Sequence, residues 1–342
     1  MARIRQSNVI DPLVKILPRA TVEAEAKRLG VVKRKRKVDI WALVCTLVLG
    51  FQEGTERTLV ALKQNLTRET GTSLVRSAFH KRLTAALAKL LHGLVVSAME
   101  ACGATVGIPS GTLSGFTDLL AIDSTVLRLH ECLAGPYKAC RTNHTKAAAK
   151  LHLVASVIDG SPRQVKLTSE ATNDRTPWRR VGRWVENCLL LFDLGYFSYH
   201  LFDRIEQNGG FFLTRIKKNA NPLLVSALRV WRGQSVDIIG RRLQEILPLL
   251  QREVLDAEVE VVFTKRTYAG HRTRARRTFR LVALRNAETV EYHTYLTNLP
   301  PDRLDAEEIS RIYALRWQIE ILFKAMKHHG HLDHLPSGKR CV

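Results

Sequence analysis

The stretch Phe116–Leu129 reads FTDLLAIDSTVLRL, and its apolar residues alternate or run together in the manner of a β-strand. Leu151–Asp159, LHLVASVID, has the same character. The turn sequence Asp159-Gly160-Ser161-Pro162 follows it and leads to a third expected strand over Gln164–Thr168. These three segments predict an antiparallel meander.

Further along the chain, predicted helices alternate with predicted strands. Cys188–Asp193, CLLLFD, is apolar up to its final carboxylate, which is typical of a strand buried on both faces. The other elements expected in this part are helices over Pro177–Asn187 and Ser198–Gln207 and strands over Phe211–Ile216 and Tyr292–Asn298. A meander followed by alternating helix and strand predicts an α/β fold built on a mixed sheet.

Residues 1–106 read as a helical, basic domain. Ser77 is a candidate N-cap for the longest of its helices, Ser77–Met99, and we expect His80, Lys81 and Arg82 to be exposed in the first turns. The other helices are expected over Ala20–Leu29, Ile40–Phe51 and Glu56–Gln64, and the run of adjacent cations is Lys33, Arg34, Lys35, Arg36 and Lys37. This run is either a solvated loop or a phosphate contact, and the basic composition favours the second interpretation. We therefore predict an N-terminal DNA-binding domain.

Residues 221–291 change character again and read as β-rich. Val259–Thr267 and Thr278–Leu284 predict a hairpin around Ala269-Gly270. Seven cations lie in or near its strands: Lys265, Arg266, Arg272, Arg274, Arg276, Arg277 and Arg280. Either they meet backbone phosphates or they keep a surface hairpin soluble, and the pattern leaves both interpretations open.

The overall charge points to a polyanionic partner. The chain has 53 Lys and Arg against 32 Asp and Glu, a net charge of +21, and a pI near 10.1. Nucleic acid is the leading candidate and an anionic membrane the weaker one, because no uninterrupted apolar run reaches the roughly 18 residues that a membrane span requires. The N-terminus resembles no secretion signal, and the six cysteines form no CxxC pair. We therefore expect a cytoplasmic protein without structural zinc or disulfides.

Ile312–Lys327, IYALRWQIEILFKAMK, predicts one amphipathic helix. At about 100° per residue, its polar side chains Tyr313, Arg316, Glu320 and Lys327 project from one narrow stripe. Spacing alone favours a solvated face with ordinary Arg–Glu pairing over a functional site.

Three carboxylates shift that balance. Asp123 and Asp193 lie at or near the ends of two strands that we expect to be neighbours, and Glu320 lies on a helix able to cover them. Two Mg²⁺ ions about 3.5–4 Å apart need several hard oxygen ligands to promote an in-line phosphoryl displacement. Three carboxylates from three separate elements would meet that need.

Several motifs together resemble a known family. The segments AIDST at 121–125 and FDLGYFS at 192–198, with Tyr313, Arg316, Glu320 and Lys327, resemble the signature regions of the DDE transposases of the insertion-sequence-4 family. The resemblance implies an RNase H-like catalytic core over 116–220 and 292–335, interrupted by the β-rich insertion at 221–291. It also implies that Asp123, Asp193 and Glu320 bind Mg²⁺ or Mn²⁺, while Tyr313, Arg316 and Lys327 grip a DNA phosphate. Tyr292 or Tyr295 is a candidate for stacking on an extruded base.

The resemblance implies a function as well. Such a transposase binds the terminal inverted repeats of its element, hydrolyses the phosphodiester at each end and joins the freed 3′-hydroxyl to target DNA, as a homodimer in the synaptic complex. Two alternatives stay open: an RNase H-like metal-dependent nuclease without strand transfer, and a truncated, inactive remnant that only binds ends. The second arises because family members usually continue well past the last lysine of the motif, whereas this chain ends at Val342.

Overall fold

A helical region precedes the sheet. The computed structural model describes residues 18–32, 38–49, 58–103, 109–140, 145–229, 237–268, 271–328, 332 and 334–335. The first helices are α1 (Arg19–Arg28), α2 (Ile40–Leu49), α3 (Leu59–Thr70), α4 (Arg76–His80) and α5 (Ala85–Gly103). They bury a core of their own, which includes Val22, Leu43, Leu62, Phe79 and Leu87. The periodically spaced apolar residues of these helices therefore pack against one another within this region.

The expected helix Ser77–Met99 is divided into α4 and α5, so this prediction was wrong. Val75, not Ser77, is the N-cap of α4. Thr84 starts α5, because its hydroxyl accepts a hydrogen bond from the backbone N–H of Leu87 at 3.2 Å. A capping threonine in the middle of an otherwise periodic stretch separates the two helices.

Ten strands lie in one sheet within the described part of the chain. They are β1 (Asp118–Leu129), β2 (Ala147–Ser156), β3 (Pro162–Ser169), β4 (Cys188–Phe192), β5 (Phe211–Arg215), β6 (Leu223–Ala227), β7 (Val254–Tyr268), β8 (His271–Arg285), β9 (Tyr292–Thr297) and β10 (His334–Leu335). The remaining α-helices are α6 (Tyr199–Gln207), α7 (Leu243–Ile246), α8 (Ala306–Ala314) and α9 (Trp317–His328). The mixed α/β class predicted from the sequence is confirmed.

The strand order is β3-β2-β1-β4-β5-β9-β8-β7-β6, with β10 paired to β1. Strands β3, β2 and β1 form the predicted antiparallel meander, and β4 and β5 then run parallel to β1. The carboxyl ends of β1, β4 and β5 therefore point the same way. Ligands of α/β proteins commonly bind at such an edge.

The strands of residues 221–291 continue this same sheet. The hairpin strands β7 and β8 pair from Val254↔Leu284 to Tyr268↔His271, longer than expected, and β8 pairs with β9. Ala269 and Gly270 lie outside the described residues. The β-rich insertion at 221–291 stays a prediction. Its strands β7 and β8 continue the sheet that runs from β5 through β9.

Both faces of the sheet are covered. One face packs aromatic side chains such as Phe192, Phe202 and Phe212. On the other, Ile309 and Ile312 of α8 pack against Leu189 and Leu191 of β4. A smaller cluster joins Ile319 and Phe323 of α9 to Ala121 and Leu127 of β1 and to Leu151, Leu153 and Ala155 of β2. The helix that carries Glu320 and Lys327 thus packs on the strand that carries Asp123.

Two further helix predictions were wrong. Ile312–Lys327 is not one helix, because α8 ends at Ala314 and α9 begins at Trp317. Two hydrogen bonds of the 3₁₀ type form a tighter turn between the helices: Leu315 N–H donates to Ile312 O, and Arg316 N–H donates to Tyr313 O. Pro177–Asn187 forms only two short 3₁₀ turns, and Gly182 is extended between them. Among the described helices, none has both the length and the apolar character needed to cross a bilayer.

Candidate active site

Asp123 and Asp193 lie side by side where the pairing of β1 with β4 ends. The last pair in register is Ile122↔Phe192, and the two aspartates are the next residue on each strand. Asp193 follows the end of β4 as expected, whereas Asp123 lies inside β1, which continues to Leu129 against β2. The sheet therefore opens beside β1 at Asp123, on the side that β4 has left.

Glu320 approaches this opening from the face of the sheet covered by α9. It lies in the first turn of α9, next to Ile319, which is 1% exposed and packs on β1 and β2. Its carboxylate accepts a hydrogen bond from Arg316 at 2.7 Å between Nη2 and Oε1. The side chains of Arg316 and Glu320 are only 14% and 26% exposed, so the pair is well shielded from water.

Tyr313 connects the helix break to the end of β4. Its hydroxyl donates a hydrogen bond to the Phe192 carbonyl at 3.2 Å, and its ring meets Tyr295 edge-on at 5.3 Å between centroids. Tyr295 is buried, and the Tyr292 hydroxyl lies within hydrogen-bond distance of the carbonyls of Leu250 and Arg252. Both tyrosines proposed for base stacking are thus packed into the protein.

Electrostatics couple the acidic residues. Burial raises the pKa of Asp123 to about 6; the Ser124 backbone N–H and the charge of Arg316 oppose this, and the charges of Asp193 and Glu320 add to it. Burial alone would lower the pKa of Arg316, but the bond to Glu320 and nearby negative charge raise it overall. Three carboxylates and one guanidinium share a small desolvated region.

This donor set fits a hard divalent cation. Asp123, Asp193 and Glu320 offer carboxylate oxygens, the ligands that Mg²⁺ and Mn²⁺ prefer, and a cation would relieve the unfavourable burial of Asp123. The Glu320 carboxylate faces Arg316, however, and within the described residues no three Asp, Glu, His or Cys side chains are already arranged to hold a metal. Binding would require Glu320 to exchange its partner.

The other predicted residues lie farther away. Lys327 is in the last turn of α9, on the same face as Glu320 but about 10 Å along the axis. His80 and Lys81 are exposed where α4 ends, whereas Arg82 is only half-exposed and donates to the Ala78 carbonyl, so its expected full exposure was wrong. Residues 33–37, the predicted run of adjacent cations, lie outside the described residues.

Sequence reasoning missed one acidic neighbour of this site. Oδ1 of Asp174 accepts a hydrogen bond from the Ser124 hydroxyl at 3.0 Å and forms an ion pair with the Lys150 ammonium at 2.9 Å. An aspartate in the loop Thr172-Asn173-Asp174-Arg175 carries no periodic signal. The serine directly after Asp123 and a lysine within an apolar strand were the only hints in the sequence.

A family model matches the part of the chain that contains this site. Residues 114–340 match the family described as Transposase DDE domain. The chain belongs to this family. The matched region contains Asp123, Asp193 and Glu320, and it starts just before β1.

Two transposases are similar over almost the whole chain. The transposase for insertion sequence element IS231B of Bacillus thuringiensis subsp. berliner is 24% identical over 365 residues, covering 96% of this chain and 74% of the relative. The transposase for IS231F of subsp. israelensis is 24% identical over 359 residues, covering 97% and 75%. A shorter match, 43% identical over 60 residues, links 18% of the chain to 16% of the InsL protein of IS186A from Escherichia coli (strain K12), a putative transposase.

Proposed function

We propose that this DDE transposase acts on DNA in the manner of the insertion-sequence-4 family. It binds the terminal inverted repeats of its element, cleaves the phosphodiester at each end and joins the 3′-hydroxyl to target DNA. The observation that carries this proposal is the position of Asp123 and Asp193 at adjoining points of β1 and β4, with Glu320 of α9 beside them. The family membership and the +21 charge support it.

Each acidic residue has a defined part in this proposal. Asp123, Asp193 and Glu320 would hold Mg²⁺ or Mn²⁺, which when bound activates a water or 3′-hydroxyl and stabilises the leaving oxygen. Asp123 is held by the Ser124 backbone N–H, which donates to its Oδ1 at 2.7 Å. This bond keeps the carboxylate directed at the opening beside β1.

Arg316 is the best-placed phosphate ligand in the described site. Its Nη2 binds Glu320, but its buried Nε has no hydrogen-bond partner among the described residues. A buried donor without a partner is costly, and a phosphate oxygen would satisfy it. Lys327, farther along the same face of α9, would meet a neighbouring phosphate. The Tyr313 hydroxyl, already bound to Phe192, would hold α8 against β4 rather than reach for DNA.

The wider DNA contact would use exposed cations of both regions. His80 and Lys81 at the end of α4, and Arg274 and Arg276 on β8, are exposed. We propose that the helical region contacts the inverted repeat and that two copies of the chain hold two ends together. Phosphate contacts of this kind would make end binding steeply dependent on salt.

The test is nicking of duplexes that carry the inverted repeats flanking the reading frame. Asp123→Asn should abolish Mg²⁺-dependent nicking and keep the affinity for the ends within about threefold of wild type. The change removes the negative charge of one proposed metal ligand and removes no DNA contact. Asp302→Asn, an exposed aspartate before α8, is the matched control and should nick normally. Retained nicking by Asp123→Asn would refute the proposal. Pre-nicked ends that are never joined to target DNA would favour the nuclease instead.

A further inference from the structure

A polar cluster lies across the sheet from α9, directly behind the acidic site. Successive residues of a strand point to opposite faces, so Ser124 faces away from the side on which Asp123 lies. Lys150 of β2 reaches the same side. The Ser124 hydroxyl donates to Oδ1 of Asp174 at 3.0 Å, and the Lys150 ammonium forms an ion pair with the same oxygen at 2.9 Å. The Lys150 ammonium also donates to the Thr172 carbonyl at 3.2 Å. One carboxylate oxygen thus ties two strands to one loop.

Asp174 also lies close to Asp193. A methyl group added at Gly195 would be 3.9 Å from Oδ2 of Asp174 and 3.9 Å from Oδ2 of Asp193. The second oxygen of Asp174 and the carboxylate of Asp193 therefore border the same small space. Gly195 leaves this space open because it has no side chain.

The charges of this cluster are balanced within the protein. The Lys150 side chain is 13% exposed, so little water is available to screen it. Without Asp174, a poorly screened positive charge would lie next to a site that must attract a divalent cation. A unit charge in a partly buried region is weakly screened, so it changes the binding of a nearby cation measurably.

We propose that Asp174 is a positioning residue of the acidic site: it holds Ser124 behind Asp123 and neutralises Lys150, so that the lysine does not oppose cation binding beside Asp193. The inference rests on the proposed function, because it assumes that Asp123 and Asp193 bind the cation. Asp174 itself does not touch the reacting phosphate in this assignment.

The experiment measures Mn²⁺ binding to the full chain without DNA, by titration calorimetry, for wild type, Asp174→Asn, Lys150→Met and the double variant. Asparagine keeps an acceptor oxygen for Ser124, so the first variant removes mainly the charge. We expect Asp174→Asn to weaken Mn²⁺ binding about fivefold to tenfold and Lys150→Met to strengthen it about twofold to fivefold. The double variant should return to within about twofold of wild type. Lys146→Met, an exposed lysine before β2, is the control and should change nothing.

Opposite shifts from the two single variants are what a purely structural role would not produce. Shifts in the same direction, or a double variant as weak as Asp174→Asn, would overturn the proposal. Wild type that binds no Mn²⁺ would instead overturn the proposed function. The pairing of Asp174 with Lys150 would then be tested by thermal unfolding without metal. If the Tm losses of the two single variants simply add in the double variant, the two side chains do not interact and the pairing is refuted.

Discussion

Arg316 donates from Nη2 to Oε1 of Glu320 at 2.7 Å, across the start of α9, and so occupies the carboxylate proposed to complete the acidic site. Arg316 belongs to the tight turn after α8, and Glu320 to the first turn of α9. The guanidinium therefore stands where a divalent cation would compete for Glu320. Substitution of this arginine should therefore affect cation binding and phosphate binding in opposite directions.

Arg316→Ala should strengthen Mn²⁺ binding by the DNA-free protein about twofold to tenfold, because Glu320 loses its competing cation. The nicking rate of the same variant should fall at least about tenfold, because the charge and the buried Nε of Arg316 are no longer available to bind phosphate. Titration calorimetry and a nicking time course check the two effects. Arg311→Ala on α8, where Arg311 is exposed, is the control for both. Weaker Mn²⁺ binding in Arg316→Ala would contradict the competition.

Asp123 should make the metal-free protein less stable as the pH rises. Burial raises the pKa of this carboxyl from 3.8 to about 6 in the folded protein, because a desolvated carboxylate is disfavoured. Its destabilising effect is therefore absent below about pH 4, grows up to about pH 6 and is complete at pH 8. Asp123→Asn, which cannot ionise, should exceed wild type in stability by about 3 kcal/mol at pH 8 and match it near pH 4.

Thermal unfolding in chelator at the two pH values measures this difference. Mn²⁺ at pH 8 should raise the Tm of wild type and leave Asp123→Asn nearly unchanged. The exposed Asp302→Asn variant should follow wild type throughout. A wild-type protein that is as stable as Asp123→Asn at pH 8 would show that the carboxylate is not destabilised by burial.

The strands and the acidic pair could be predicted because their signals are local. Cys188–Phe192 is apolar at every position, and a strand buried on both faces has no other sequence pattern. Asp193 ends that apolar run, and the motif after Ala121 marks Asp123. The expectation that the strands of Asp123 and Asp193 are neighbours then follows from the usual strand order, in which a parallel strand is added beside the first strand of a meander.

The rest depended on contacts between distant residues. The break after Ala314 has no glycine or proline to announce it, and the bond from Tyr313 to Phe192, 121 positions away, fixes the end of α8 in space. Asp174 reaches Ser124 across 50 positions. A charge pattern likewise cannot tell a cation on the surface from one that is buried, and Arg280 illustrates this.

Arg280 should be structural rather than a DNA contact. It is 4% exposed, binds both carboxylate oxygens of Asp256 at 2.8 and 2.6 Å, and donates to the carbonyls of Leu299 and Leu304. Arg280→Met would leave Asp256 buried and unpaired, and should lower the free energy of unfolding by about 3–5 kcal/mol. Denaturant unfolding measures it. Arg274→Met, an exposed arginine on the same strand, should change stability by less than about 0.5 kcal/mol.

Arg274→Met should instead weaken DNA binding and lower its salt dependence, since an exposed cation on β8 is free to meet phosphate. Equal stability losses in the two variants would contradict the distinction between the buried and the exposed arginine.

Tyr313→Phe should separate a positioning role from direct contact with DNA. The change removes the 3.2 Å hydrogen bond to the Phe192 carbonyl, next to Asp193, but keeps the ring that packs against Tyr295. Loss of one part-buried hydrogen bond should lower stability by about 0.5–1.5 kcal/mol. Because the hydroxyl is already engaged, end binding should fall less than twofold, while the nicking rate should fall about threefold to tenfold as α8 loosens from the end of β4. Filter binding and nicking of the same duplex give the two values. A loss of end binding as large as that of Arg316→Ala would mean that the Tyr313 hydroxyl leaves Phe192 and grips phosphate itself.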